Sequence, residues 1–302
     1  MIRNFDDIRN LAKSKEQQIV SVAAAGDKDV LNAVKKAELD GILKATLVGD
    51  ENEIKSIAKE IDYDLKNATI IHADTPEEAC QKAVLEVTEK RAQVVMKGLV
   101  DTSVILKAIL KKEANLRTGR VLSHVACFDL KSYEKILLVT DAAMNIAPGI
   151  MEKKQIIQNS VELARALDIE KPKVAVLCAK EKVNPKMPAT VDAKELADMN
   201  TNGEIENCLV GGPFALDNAV SKQAAKHKGI DHPVAGDADI LMVPDIEAGN
   251  ILYKALAFLA EGSNAGVIVG SKVPIVLTSR ADSDEAKFNS IALAVLMAAN
   301  SK

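Results

Sequence analysis

Tryptophan is absent from this chain, and only 3% of its 302 residues are aromatic. A platform that stacks nucleic-acid bases needs several rings, so that class loses support. A basic excess is missing too. Acidic residues outnumber basic ones, 43 to 39, the formal net charge is -4 and the pI is near 5.7. A general nucleic-acid binder would carry a basic footprint. A local basic site for a small anion stays open. No run approaches the roughly 20 apolar residues that span a bilayer. The opening stretch "MIRNFDDIRNLAKSKEQ" is charged throughout and holds no apolar signal core. The expectation is a soluble, cytoplasmic protein without membrane or nucleic-acid partners.

Cysteine is scarce. Cys80, Cys127, Cys178 and Cys208 lie far apart, and none forms a C-x-x-C pair. That spacing argues against a disulfide framework or a zinc site. Three of the four sit in apolar runs and read as small core residues. There is no G-x-G-x-x-G after a strand, no P-loop and no H-E-x-x-H. His72, His124, His227 and His232 are scattered, and the carboxylates show no dedicated metal spacing. Dinucleotide, P-loop and metalloprotease chemistry all lose support, and no metal site is expected.

What is present is alternation. "QQIVSVAAAG" reads as a buried strand. "DKDVLNAVKKAELDG" reads as a helix capped by Asp27 with Gly41 past its end. "KATLVG", "ATIIH" and "QVVMKG" repeat the strand theme. Helices fall between them, one opening with Thr75, Pro76 and Glu78 as cap, first-turn proline and capping box. The strands are near-continuous apolar runs, as expected where helices cover both sheet faces. This predicts an α/β protein with mostly parallel sheets. "RVLSHVACFDL" and "KSYEKILLVT" have no helix between them and predict an antiparallel hairpin. About a dozen strands is many for one open sheet. Two lobes are therefore expected, residues 1–135 with 281–302 and residues 136–280, with an active-site cleft between them.

In open α/β sheets, ligands bind beyond the carboxyl ends of strands. The candidates are the residues that follow strands. Lys97, Gly98, Asp101, Thr102 and Ser103 follow "QVVM". Thr140, Asp141 and Asn145 follow "KILLV". Asp245, Gly249, Asn250 and Lys254 follow "ADILMV". A glycine inside a helix costs about 1 kcal/mol relative to alanine, so Gly249 suggests a ligand or another backbone close by. Ser123 and His124, in "LSHVACF", are further candidates to line a site. Asp141 and Asp217 read first as caps. "VPIVLTSRADSDEAK" ends an apolar run on Ser279 and Arg280 and leads into a helix expected from about Ser283 to Asn300. A guanidinium there suits a phosphate. Residues alone lead to an α/β protein with an anion-capable site.

The segments "VVMKGLVDTSVILKAIL", "LRTGRVLSHVACF", "LLVTDAAMN", "NPKMPATVDA", "GGPFALDNAV", "VAGDADILMVPDIEAGNILYKAL" and "VPIVLTSRADS" together resemble the phosphate acetyl/butyryltransferase family, in its order and over nearly the whole chain. "TSRADS" and the short length point to the butyryl branch. The resemblance implies acyl-CoA plus phosphate giving acyl phosphate plus CoA, with CoA as substrate rather than bound cofactor. It also implies a two-lobed fold like the isocitrate and isopropylmalate dehydrogenases. Ser279 and Arg280 match the family's Ser-Arg pair. Lys107 stands where the family often has an arginine, and keeps the charge without the bidentate fork. The acetyltransferases' proposed base falls on Ala286 here, which leaves Asp282, Asp284 or Glu285 as substitutes, or no dedicated base. A phosphate acetyltransferase and a catalytically idle acyl-CoA-binding relative are the alternatives. The Ala-rich apolar helix "NSIALAVLMAAN" suggests a homo-oligomer.

Overall fold

The computed structural model describes residues 2–278 and 282–301. The chain divides into two compact units, Asp6–Gly119 with Ala265–Lys302, and Met1–Phe5 with Arg120–Asn264. The division thus falls at residues 5/6, 119/120 and 264/265. The hairpin lies in the second unit, and the last two strands rejoin the first.

The first unit begins with α1 (Phe5–Lys13), β1 (Gln18–Ala23), α2 (Lys28–Leu39), β2 (Leu43–Gly49) and α3 (Glu51–Glu60). It continues with β3 (Thr69–His72), α4 (Pro76–Thr88), β4 (Val94–Lys97) and α5 (Thr102–Ile109). Local signals explain the helix starts. The Asp27 side chain accepts from Val30 N at 2.9 Å, and Thr75 Oγ1 accepts from Glu78 N at 3.2 Å. The expected capping box is displaced by one residue, since Glu78 bonds Asp74 N rather than Thr75 N.

The second unit holds β5 (Ser123–Asp129), β6 (Leu137–Thr140), α6 (Ile150–Ala166), β7 (Lys173–Leu177) and α7 (Pro188–Thr201). Then come β8 (Leu209–Phe214), α8 (Leu216–Val220), α9 (Lys222–His227), β9 (Ile240–Met242) and α10 (Ile246–Lys254). β5 and β6 form the expected antiparallel hairpin, and β6, β9, β7 and β8 run parallel in that order. Phe128, Val139, Ala175 and Leu241 are among its core residues. Residues 216–227 form two short helices separated by one residue. Ser221 is extended, and its side chain caps α9 by accepting from Ala224 N. The chain then passes through a π-helical turn, Ala255–Leu259.

The chain returns to the first unit as β10 (Ser263–Val269), β11 (Ile275–Val276) and α11 (Asp284–Asn300). The strand order there is β3-β2-β1-β4-β11-β10, parallel except for the β10–β11 pair. "VPIVLTS" reads as a long strand, yet among its described residues only Ile275 and Val276 form one. α11 packs on α2, β1, β4 and β11, and its residues from Ala286 to Ala298 are buried. The apolar surplus that suggested an oligomer is therefore consumed inside this unit.

Candidate active site

In the first unit the chain runs outward from β1 to β3, then returns to the other side of β1 as β4. The strand order reverses between β1 and β4, which is where an open α/β sheet leaves a crevice at its carboxyl edge. A cavity of about 140 Å³ lies at this point, lined by Asp27, Lys97, Gly98, Leu99, Thr278 and Lys287 among others. It has room for several waters, and so for a tetrahedral oxyanion.

Lys97, the last residue of β4, is only 5% exposed. Its ammonium donates to the carbonyl oxygens of Gly98 and Val100, both at 3.1 Å. Those carbonyls solvate the charge, and the carboxyl-bearing residues Asp27 and Asp29 share the cavity's lining. The N-terminal end of α2 also borders the cavity and adds the positive end of a helix dipole. Gly98 is required by packing. A Cβ there would stand 2.2 Å from Ala24 O and 2.6 Å from Ala23 O. Gly98 N and Leu99 N donate to those two carbonyls at 2.8 Å, so the exit of β4 is laced to the exit of β1.

The other first-unit candidates lie away from the cavity lining. Thr102 and Lys107 are exposed on α5. Asp284, in the first turn of α11, is ion-paired to Lys36 Nζ at 2.9 Å. A hydrogen bond from Lys36 holds its carboxyl below the usual carboxylate range, against a smaller opposing effect of burial. Glu285 pairs with Arg9. α11 is capped by Ser283, whose side chain accepts from Ala286 N at 3.1 Å. Ser279 and Arg280 lie outside the described residues.

The second-unit candidates gather around the loop after β6. Asp141 is 2% exposed, and its carboxylate accepts from Ala143 N, Met144 N, Asn145 N and Asn145 Nδ2 at 2.6–3.2 Å. It therefore acts as a clasp on its own loop. Asn145 Nδ2 also reaches Leu122 O at 2.8 Å, and Asn250 Nδ2 reaches Ala142 O at 3.3 Å. The reason for Gly249 is now explicit. A Cβ there would sit 2.5 Å from the carbonyl oxygen of Asp141, so a neighbouring backbone makes the close approach. Ser123 is fully buried, and its hydroxyl accepts from Asn159 Nδ2 at 2.9 Å. The half-buried His124 ring packs edge-on to Tyr253 at 6.0 Å. Lys254 is exposed, with its ammonium 5.5 Å from the ring centres of Tyr253 and Phe258. Asp217 is not an N-cap; it lies in the first turn of α8, behind Ala215.

Lys287 was not among the sequence candidates. It sits one turn into a helix whose polar residues would ordinarily be taken as its solvent face. Cys80, Cys127 and Cys208 are buried, Cys178 is half-buried, and all four are free. Burial pushes the Cys80, Cys178 and Cys208 thiols up to about 11, and Cys127 higher still. None is a thiolate nucleophile near neutral pH. Among the described residues, no group of three or more His, Cys, Asp or Glu side chains could hold a metal ion, and no helix is long and apolar enough to cross a membrane.

A buried cation at the switch point and no activated thiol suit a protein that handles an anionic substrate directly. The chain matches the sequence description of Phosphate acetyl/butaryl transferase over residues 4–80 and 72–295, and it belongs to that family of acyltransferases. It is 49% identical to a phosphate butyryltransferase of Clostridium acetobutylicum, over 99% of this chain and 100% of that one. It is 46% identical to a phosphate acetyltransferase of Thermotoga maritima, over 97% of this chain and 99% of that one. Among solved structures, a branched-chain phosphotransacylase from Enterococcus faecalis superposes with a TM-score of 0.81. That protein is 37% identical, and the match covers 93% of this chain and 99% of that one.

Proposed function

We propose that the chain exchanges a short acyl group, of butyryl or branched size, between coenzyme A and inorganic phosphate. The observation that carries this reading is the 49% identity to a phosphate butyryltransferase along 99% of the chain. The buried ammonium of Lys97 supports it independently, because phosphate and acyl phosphate are the anions such a cavity would favour.

In the proposed reaction a phosphate oxygen attacks the thioester carbonyl carbon. A tetrahedral oxyanion forms, the C–S bond breaks, CoA leaves as thiolate, and acyl phosphate remains. Holding both reactants in one geometry lowers the barrier without a covalent acyl-enzyme. Lys97 steadies phosphate and oxyanion charge. Gly98 keeps Lys97 in place. Ser279 and Arg280, by their match to the family, are the phosphate and reacting-group contacts. Thr102 and Lys107 are assigned to the substrate's outer, charged parts; His124, Asn145, Asn250 and Lys254 are kept as substrate-binding candidates of the second unit. Asp141, Ser123 and Gly249 act through the backbone they position. The ion pair with Lys36 makes Asp284 a weak base, so the reverse step is assigned no dedicated base for the CoA thiol.

The second reading, a phosphate acetyltransferase, rests on the 46% identity to the Thermotoga maritima enzyme. Pocket depth of one methylene changes selectivity by only about 1–3 kcal/mol. Phosphate-dependent thiol release from acetyl-, butyryl- and isobutyryl-CoA separates the two. A higher kcat/KM for the four-carbon substrates is expected. A clear acetyl preference transfers the chain to the second reading, and no release from any thioester removes both. The proposed assembly is a homo-oligomer. Its warrant is now the exposed Ile251, Phe258 and Leu259, at 68%, 70% and 85% exposure. A single-chain mass by light scattering at micromolar concentration would refute it.

A further inference from the structure

Leu99 follows Lys97 and Gly98 at the exit of β4, and it is 47% exposed. A lone exposed leucine needs no explanation, but this one has a particular place. It lines the cavity that Lys97 also lines, where only Val30, among the other described residues, has a wholly apolar side chain, and Val30 is buried. Leu99 also lines a second cavity of about 170 Å³, shared with the small residues Ala24, Gly26, Gly49 and Ala73. It is the one described residue common to both linings. Asp50, Glu53 and Asp74 border the second cavity, and no lysine or arginine does among the described residues. Those carboxylates would repel the phosphates at the nucleotide end of CoA. The acyl end is neutral and meets no such repulsion. In acyl phosphate the carbonyl carbon is bonded to a phosphate oxygen, so the next carbons of the chain must pass the wall of whatever cavity holds the phosphate.

We infer that the Leu99 side chain contacts the acyl chain of the substrate and sets how strongly a four-carbon group is preferred over acetyl. This role rests on the function proposed above and adds the residue that reads acyl length. The rival role is contact with a part that every acyl-CoA shares, such as the arm that carries the thiol. A contact of that kind affects all thioesters equally, whereas an acyl contact affects them according to chain length.

The experiment measures kcat/KM for acetyl-CoA and butyryl-CoA, phosphate KM and melting temperature in the native protein, Leu99→Ala and Leu99→Met. In Leu99→Ala the butyryl-to-acetyl ratio of kcat/KM is expected to fall about tenfold, with phosphate KM within about threefold of native. Leu99→Met, close in volume and still apolar, is expected to keep the ratio within about threefold of native. Folding should be preserved, because Leu99 is laced to β1 by its backbone N–H, which donates to Ala24 O at 2.8 Å. A fall in the ratio of less than about threefold in Leu99→Ala overturns the inference, as does a rise, whether or not both rates drop together. If the alanine variant does not fold, Leu99→Asn, similar in shape but polar, decides at the same threshold. Native protein that releases no thiol with phosphate would instead remove the proposed function. Native protein that prefers acetyl-CoA would move the chain to the second reading, and the change in ratio would still decide the role of Leu99.

Discussion

Replacing Gly98 by alanine tests whether the Lys97 ammonium is held in place by the packing beneath it. The added Cβ would lie 2.2 Å from Ala24 O and 2.6 Å from Ala23 O, where real Cβ contacts essentially never fall under 3.0 Å. Relief requires the β4 exit to retreat from β1. That movement strains or breaks the two 2.8 Å bonds from Gly98 N and Leu99 N to the same carbonyls. Overpacking costs about 1–3 kcal/mol, and each lost hydrogen bond about 1 kcal/mol. Together these give about 3–5 kcal/mol, or about 6–20 °C in melting temperature for a chain of this size class. Lys97 moves with the strand exit, so phosphate KM should rise about tenfold or more in whatever variant stays folded. Gly149→Ala is the control. Its nearest neighbour atom is 3.8 Å away, and its cost should stay below about 1 kcal/mol. A melting temperature for Gly98→Ala within about 2 °C of native would show that the two strand exits are not locked together, and the account of Lys97 positioning would fall.

Arg280→Ala should raise phosphate KM and lower kcat, with a total loss of about 10²–10³; Arg280→Lys should recover only part, and native kinetics in the alanine variant would remove the assigned role. Asp284→Asn should keep kcat within about threefold, because the carboxylate is engaged by Lys36; a fall of about 10² in the CoA-consuming direction would restore it as the thiol's base. Asp237 gives a pH test. Burial raises its pKa, but hydrogen bonds from Lys173 and Lys135 outweigh this and hold it below the ordinary value of 3.8. A depressed folded pKa contributes stability above the unfolded value, lost as pH falls through the folded one. Asp237→Asn should therefore cost about 1 kcal/mol near pH 7 and flatten the melting profile below about pH 4. An unchanged acid slope would refute this.

What could be read in the sequence was local. The caps at Asp27 and Thr75 announce their helices because each bonds an N–H three residues ahead. The missing helix between "LSHVACF" and "KILLVT" announces the β5–β6 hairpin. Gly249 was visible as an anomaly, since glycine is costly inside a helix. Its cause, the carbonyl of Asp141, was not, because that contact joins segments distant in the chain. The same holds for Gly98, whose constraint is a carbonyl on β1. Asp284 looked like a spare carboxylate near a helix start until Lys36 of α2 appeared beside it. Lys287 is the sharpest case. A lysine in a helix is ordinarily a solvent-facing residue, and only the packing of α11 on α2, β1, β4 and β11 turns this one inward. The site's chemistry therefore depends on charge burial, and charge burial is a property of the fold that no short window of residues encodes. Substitutions that keep the window but move the burial, as Gly98→Ala does, are the ones that should separate fold from function here.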